Sequence, residues 1–274
     1  MDVTLLGTGN PIPDPNRAGA ATLVRAGAVR LLFDCGRGVV MRLAAAGVFP
    51  SQLAAVFLTH LHSDHLTDLN DVVTTHWVMN PAPTLLPLYG PPRTDEVVTG
   101  MLAMIRPDVE YRRAHHADLT WDPEVRVEHV VDGCSVDVDG VRVVAAATDH
   151  RPVEPTVGYR VEHRGAAVVI AGDTVPCEGL DRLCAGADVY VQTVLREDMV
   201  RAIRAPRLLD TLDYHSTVEQ AAQTARRAGV RRLVLTHFVP GCPPGQAGEW
   251  AALAHAHFDG EVVVADDLTT VSTH

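Results

Sequence analysis

Apolar positions follow two rhythms along the chain. Short runs of strand length occupy 3–7, 22–25 and 29–34, and a helical stretch over 38–46 follows them. Ala54-Ala55-Val56-Phe57-Leu58-Thr59 is a short apolar run that ends on His60 and reads as a buried strand. A helix is predicted over 66–79, stopped by Pro81 and Pro83, which lack the amide a further turn needs. A strand over 85–89 and a helix over 94–105 come next, with Pro107 just beyond that helix. From Glu124 the pattern turns to period 2. Val125-Arg126-Val127-Glu128-His129-Val130 alternates, as does Val136-Asp137-Val138 ahead of a turn at Asp139-Gly140. Strands are predicted over 141–148, 156–161 and 166–171, the last closing on Gly172-Asp173. The final quarter alternates strands at 189–192 and 232–236 with a helix at 217–228. Ser216, with Glu219 three residues on, reads as a capping box for that helix, and Gly229 stands where a left-handed C-terminal cap belongs.

No repeat, low-complexity tract or long linker interrupts the chain. Two β-rich halves carrying helices, meeting near residues 115–125, predict two sheets face to face with helices outside. That is an α/β fold, a four-layer αββα sandwich, with residues 1–274 as one domain large enough to bury a sizeable core.

Composition narrows the function classes. Hydrophobic residues make up 47% and charged residues 21%, the balance of an ordinary globular protein. No apolar run approaches the ~18–20 residues that span a bilayer. Met1-Asp2-Val3-Thr4-Leu5-Leu6 enters a strand pattern directly, with no secretory signal, so a cytoplasmic location without membrane partners is expected. Cys35, Cys134, Cys177, Cys184 and Cys242 are odd in number and irregular in spacing, which predicts reduced thiols packed as small apolar groups. The net charge of −11 differs from the positive excess of generic nucleic-acid binders, so any RNA contact must be local or made mainly by bound metals.

The candidate chemistry lies in Thr59-His60-Leu61-His62-Ser63-Asp64-His65. Zinc prefers neutral imidazole and carboxylate ligands. Two histidines at spacing two point the same way in an extended turn. Asp64 and His65 arrive as the chain enters the next helix and can face a second metal. The remaining ligands must come from other strand ends, where loops display functional groups on a rigid sheet. Three positions qualify: Asp149-His150 after 143–148, Gly172-Asp173-Thr174 after 168–171, and His237 after 233–236.

These residues resemble the metallo-β-lactamase superfamily, and within it the ribonuclease Z branch with its arylsulfatase-like relatives. The likeness spans nearly the whole chain. It runs through Gly7-Thr8-Gly9 with Pro11 and Arg17, then Phe33-Asp34-Cys35-Gly36, then Leu58-Thr59-His60-Leu61-His62-Ser63-Asp64-His65. His150 with Val157-Gly158-Tyr159, Ala171-Gly172-Asp173-Thr174, Tyr214-His215-Ser216-Thr217 and Leu235-Thr236-His237-Phe238 complete it. The resemblance implies that His60, His62 and His150 hold one zinc, that Asp64, His65 and His237 hold another, and that Asp173 bridges the two Zn2+. Manganese or iron suit the same donors, because first-row affinities overlap. It implies that Asp34 orients a ligand imidazole. It further implies that a two-metal-activated hydroxide attacks a phosphodiester, with Asp64 accepting a proton and His215 protonating the leaving oxygen. The expected substrate is a precursor tRNA that loses its 3′ trailer, and the expected assembly is a homodimer, for which an exposed helix face around 66–78 offers a surface.

Three departures from that branch keep an alternative open. Val191-Gln192-Thr193 has no carboxylate where the branch carries a Glu that supports its catalytic histidine, so His215 is oriented by another acid such as Asp210 or Asp213, or matters less. His150 and Asp173 are 23 positions apart, too close for the long basic arm with which many members clamp tRNA. Leu66-Thr67-Asp68-Leu69, with Asn70-Asp71, has an arylsulfatase-like look. The alternative is a hydrolase of aryl sulfates or small cyclic or aryl phosphodiesters with the same dinuclear site. A third reading, a non-catalytic scaffold, predicts lost ligands, and none is lost. Arg112-Arg113 and Arg226-Arg227 with Arg231-Arg232 are either solvated faces or RNA contacts. His76-Trp77, Tyr111 and His115-His116 either line the mouth of the site or serve the fold.

Overall fold

The computed structural model describes Met1–His274. The chain opens with the antiparallel strands β1 (Asp2–Gly7), β2 (Ala21–Ala26) and β3 (Val29–Phe33). Helix α1 (Val39–Ala45) crosses to β4 (Ala55–Phe57), and α2 (Ser63–Leu66) and α3 (Leu69–Met79) lead to β5 (Leu85–Gly90). Helix α4 (Thr94–His115) then leads to β6 (Glu124–His129). Strands β3 to β6 pair in parallel. The second sheet begins with β7 (Ser135–Val138), β8 (Val141–Ala147), β9 (Val157–His163) and β10 (Ala166–Ile170), all antiparallel. It continues in parallel through α5 (Glu178–Cys184), β11 (Val189–Leu195), α6 (Glu197–Ile203), α7 (Pro206–Leu209), α8 (Val218–Arg227), β12 (Arg232–Val239), α9 (Ala247–His255) and β13 (Glu261–Val264). Finally β14 (Thr270–Ser272) returns to pair with β1, so each sheet has seven strands.

The sheets stack through one apolar layer that includes Leu5, Phe33, Phe57, Tyr159, Val191 and Val234. Phe33 and Phe57 stack at 4.9 Å between ring centroids, and Phe57 and Tyr89 at 4.8 Å, which adds aromatic packing to the area buried. The opposite face of the first sheet packs Leu32, Val56 and Leu88 against α1, α3 and α4. The opposite face of the second packs Val169, Tyr190 and Leu233 against α5, α8 and α9. The four-layer αββα sandwich is therefore the fold observed. Strands β3, β4, β11 and β12 are buried on both faces, which is why their sequences read as continuous apolar runs.

Four boundaries differ from the sequence pattern, each for a physical reason. The halves meet at the turn before β7, not at 115–125, because β6 pairs with β5 from Leu85↔Glu124 to Gly90↔His129. The helix expected over 66–79 breaks between α2 and α3, where the Asp68 amide donates to the Cys35 carbonyl at 3.0 Å and its carboxylate accepts the Gly38 amide. Pro107 does not end α4: Ala103, the residue whose carbonyl a proline at 107 cannot serve, is exposed, and Val109 beyond it packs with Trp77 and Leu119. The capping box of α8 is shifted by one. Thr217 Oγ1 accepts the Gln220 amide at 3.1 Å and Gln220 Oε1 accepts the Thr217 amide at 2.9 Å, while the Ser216 hydroxyl donates to the Thr174 carbonyl. Gly229 does take the positive φ, 66°, expected of it.

Candidate metal centre

The His-x-His-x-Asp-His run is held where the two sheets touch. The Leu58 amide continues the ladder to the Tyr89 carbonyl at 2.8 Å, and the buried Tyr159 hydroxyl donates to the Leu58 carbonyl at 2.7 Å. The Val157 amide donates to the Thr59 carbonyl at 3.0 Å. His60 follows this junction, His62 is in extended backbone as the residue before α2, and Asp64 and His65 sit in the single turn of α2. His150 follows β8, and Asp173 follows β10 at the left-handed Gly172 (φ 67°). A Cβ at Gly172 would lie 2.7 Å from the Cβ of Thr59, so glycine is what lets the Asp173 loop approach the first motif.

His237 reaches the site by a different device from the strand end that its position in the sequence predicts. Strand β12 continues past it to Val239, with a bulge: Thr193 pairs with Thr236 but Leu195 pairs with Val239. His237 itself has φ 49°. The extra residue turns the His237 ring out of the sheet's alternation and into the centre.

All seven sequence-predicted ligand residues come together. Ligand atoms of His60, His62, His150 and Asp173 lie within 4.8 Å of one another, as do those of Asp64, His65 and His237. Asp173 Oδ2 is central: it lies 3.9 Å from His60 Nε2, 3.5 Å from His65 Nε2, 3.9 Å from His150 Nε2 and 3.7 Å from His237 Nε2. His60 Nε2 faces His62 Nδ1 at 3.2 Å, and His62 Nδ1 faces His150 Nε2 at 3.4 Å. His237 Nε2 lies 3.0 Å from Asp64 Oδ2.

Neighbouring groups fix which ring nitrogen looks inward. His65 Nδ1 donates to Asp34 Oδ2 at 2.8 Å and His150 Nδ1 donates to the Tyr214 carbonyl at 2.8 Å. His60 Nδ1 meets the Thr59 hydroxyl at 3.0 Å. In the neutral form of each ring, Nε2 is then the lone pair that faces the centre. Asp34 also accepts the Thr59 amide at 2.8 Å, so one carboxylate holds both the ring and the strand end that carries the motif. Asp34 has φ 61°, a conformation aspartate tolerates better than most residues.

The residues fit a cation. His65 Nε2 and Asp173 Oδ1 are buried without any hydrogen-bond partner, a costly state that a metal ligated by both relieves. Burial, reinforced by the His65 imidazole, pushes His60 well below the ordinary histidine value, and burial brings His150 down to about 4. Both are thus neutral, the form that ligates. For Asp173 burial pulls upward, but the imidazoles of His237, His65 and His215 outweigh it and hold the carboxyl well below the ordinary aspartate value. For His65 burial pulls downward, but the Asp173 and Asp34 carboxylates outweigh it.

The centre opens into a cavity of about 570 Å³ whose wall includes Asn10, Ile12, Arg207, Tyr214, His215 and Pro240. His215 is 5% exposed, and its Nε2 lies 3.1 Å from Asp173 Oδ2. Its Nδ1 meets the Thr211 carbonyl at 3.3 Å, so neither Asp210 nor Asp213 orients it. Gln192 is fully buried and makes no hydrogen bond to His215, accepting the Tyr190 hydroxyl at 2.5 Å and donating to the Thr193 carbonyl at 2.8 Å. Asn10 carried no sequence signal, and Tyr214 entered only as the neighbour of His215 in the Tyr214-His215-Ser216-Thr217 segment. Asn10 Nδ2 donates to the Phe238 carbonyl at 2.5 Å, beside His237, and the Tyr214 ring packs 4.8 Å from that of His150.

Several expected lining residues lie elsewhere. His76 and Trp77 are buried on α3, Trp77 against Val109 of α4, while Tyr111 and His115 stand on α4 and His116 just after it, none of them in the cavity wall. The basic clusters are largely neutralised: Arg112 by Asp108 at 2.8 Å, Arg113 by Asp122 at 2.7 Å, Arg227 by Asp181 at 2.7 Å and Arg232 by Glu261 at 2.6 Å. Asp68 belongs to the Gly38 turn, which removes its value as a pointer to an aryl ester substrate.

Fold and site together define a hydrolase of the metallo-β-lactamase superfamily, and residues 29–238 match the family model described as beta-lactamase superfamily domain. Curated relatives narrow the class. Ribonuclease Z of Mycolicibacterium gilvum (strain PYR-GCK) is 56% identical over 276 residues, covering 100% of this chain and 96% of its own length. Ribonuclease Z of Mycobacterium bovis (strain BCG / Pasteur 1173P2) is 55% identical over 276 residues, covering 100% and 99%. The crystal structure of the short form of human tRNase Z superposes with a TM-score of 0.73 at 26% identity, covering 100% of both chains. The chain belongs to the ribonuclease Z family. The aryl sulfate and small-ester alternative is not favoured by these relatives.

Proposed function

We propose that this enzyme removes the 3′ trailer from precursor tRNA by endonucleolytic hydrolysis, and that it does so with two Zn2+ per chain. The observation that carries the reading is full-length identity above one half with proteins named ribonuclease Z, joined to a ligand set in which no residue is missing. His60, His62 and His150 would hold one ion and Asp64, His65 and His237 the other. Asp173, with Oδ2 facing both groups, would bridge them.

Bound ions supply Lewis acidity toward the phosphodiester oxygens and a water ionised near neutral pH. The chain's own groups do the rest. Asp64 is buried beside His237 and turns a carboxylate oxygen to the centre, where it takes up the proton of the attacking water. His215 presents Nε2 to the same centre from the cavity wall, so a proton held there can pass to the leaving 3′ oxygen. Tyr214 fixes His150 with its carbonyl and positions His215 by adjacency. The acidic groups of the centre exclude a polyanion until cations are in place, which ties RNA binding to metal loading.

Residues 1–274 would act as one domain, because β14 pairs with β1 and the N-terminal amine donates to Thr273 Oγ1 at 2.8 Å. A homodimer in the cytoplasm is the working form we infer, with Met41 on α1 and Val78 and Met79 on α3, which are 75%, 38% and 43% exposed, as the apolar surface. No helix is long and apolar enough to cross a membrane. The test is cleavage of a 3′-extended precursor tRNA by zinc-loaded protein, with Asp64→Ala beside it. A discrete product at the trailer junction that vanishes in the variant is expected. Intact RNA alongside hydrolysis of a bis-aryl phosphate would overturn the reading. Light scattering giving one chain per particle would remove the dimer.

A further inference from the structure

A protein with net charge −11 and no long basic arm between His150 and Asp173 must find its RNA contacts close to the cut. All 23 basic residues are arginine, and those near the site are mostly occupied. Arg196 pairs with Asp198 at 2.6 Å, Arg201 with Glu197 at 2.7 Å and Arg151 with Asp149 at 2.6 Å. Arg207 differs. It stands on α7, is exposed, makes no ion pair and no side-chain hydrogen bond, and lines the cavity that holds Asp64, Asp173 and His215.

The wall around it is apolar. Ile203, at the end of α6, is 52% exposed, and Ile12, from the loop after β1, is 73% exposed; both line the same cavity. Large apolar side chains this exposed at a site entrance lose contact with nothing when a flat ring covers them. A free guanidinium beside such a wall has the two features that bind a single strand without reading its sequence: a cation for the backbone and an apolar seat for a base.

We propose that Arg207 binds the backbone phosphate adjoining the scissile one, and that Ile203 and Ile12 seat the base of that nucleotide. The α6–α7 segment then carries, beside the metals, the strand recognition that the absent arm does not provide. This rests on the ribonuclease reading of the site. The assignment makes Arg207 specific for a polynucleotide: an isolated diester has no second phosphate to meet it.

The experiment compares wild type, Arg207→Gln, Arg207→Lys and Ile203→Ser in the zinc-loaded full chain. Three readouts are used: bis(p-nitrophenyl) phosphate hydrolysis, precursor tRNA cleavage, and anisotropy of a fluorescent single-stranded RNA tetranucleotide across a salt series. In Arg207→Gln the KM for precursor tRNA should rise about tenfold with kcat held, and the slope of log affinity against log salt for the tetranucleotide should fall by about 0.7, one phosphate's share. Arg207→Lys should recover the slope. Ile203→Ser should weaken tetranucleotide binding without changing the slope. Aryl diester turnover should stay within twofold throughout. Wild-type KM and an unchanged salt slope in Arg207→Gln would overturn the proposal, as would an equal loss on the aryl diester, which would place Arg207 at the reacting phosphate itself. If wild type leaves precursor tRNA intact, the ribonuclease reading fails separately, and the tetranucleotide slope still decides Arg207.

Discussion

Asp34 Oδ2 accepts the Nδ1 proton of His65 at 2.8 Å, and the same carboxylate accepts the Thr59 amide through Oδ1 at 2.8 Å. One buried side chain therefore fixes the tautomer of a candidate ligand and the backbone from which the ligand motif departs. Replacing it disturbs both. Asp34→Asn keeps the size but loses the charge that holds the ring. Metal affinity, measured by competition with a chromogenic chelator, should fall about 10–100-fold. Affinity equal to wild type would mean that His65 is held by packing alone.

Asp64 tests the proton acceptor. Asp64→Ala removes a ligand and the acceptor together, and precursor tRNA cleavage should drop by roughly 10²–10⁴-fold or more. Single-turnover kinetics at saturating zinc read the chemical step. A variant within tenfold of wild type at full metal loading would remove Asp64 from the mechanism.

His215 separates catalysis from metal binding. Its Nε2 lies 3.1 Å from Asp173 Oδ2, close enough for its loss to reach either function. For His215→Ala we expect turnover down by roughly 10²–10⁴-fold with zinc content unchanged by elemental analysis. Normal turnover would end its role as general acid. Zinc loss in step with turnover would make it a positioning residue for Asp173 instead.

Tyr159 tests how the fold supports the motif. Its hydroxyl donates to the Leu58 carbonyl at 2.7 Å in the fully buried layer between the sheets. Tyr159→Phe leaves that carbonyl unpaired two residues before His60, which should cost about 1–3 kcal/mol in urea unfolding of the metal-free protein. An unchanged midpoint would show that the strand junction relaxes to another donor.

Metal removal has a stability signature as well as a catalytic one. A cation that binds the folded centre and not the unfolded chain adds about 4 kcal/mol at a thousandfold excess over its dissociation constant. Thermal unfolding after exhaustive chelation should therefore fall by several degrees and recover on adding zinc. A melting temperature indifferent to zinc, manganese and iron would exclude a resident metal.

Much of the fold was legible because burial on both faces leaves a plain trace. Val56 and Phe57 in β4 and Leu233 to Leu235 in β12 read as unbroken apolar runs. The breaks were less legible where one side chain decides them. Nothing in Leu66-Thr67-Asp68-Leu69 says that the Asp68 carboxylate will accept the Gly38 amide and split the helix. Pro107 marks a helix end in most settings, but here it and Ala103 stand on the exposed side of the helix, and α4 continues.

The sequence by itself determined which seven residues are the candidate ligands. His60, His62, Asp64 and His65 lie within six residues of chain, His150 and Asp173 each follow an apolar strand, and His237 ends an apolar run, so residue type and position single them out as candidates without coordinates. Only the tertiary structure decided the rest. It chose the turn before β7 as the meeting point of the halves through strand pairing. It turned His237 inward through a bulge rather than a strand end, gave His215 the Thr211 carbonyl instead of an acid, and left Arg207 alone in the cavity wall. The reason is range. Ligand spacing and hydrophobic period are set by neighbours a few residues away. The inward tilt of a ring, the partner of a buried nitrogen and the freedom of a charge depend on groups tens to hundreds of residues distant, which only the packed sheets bring together.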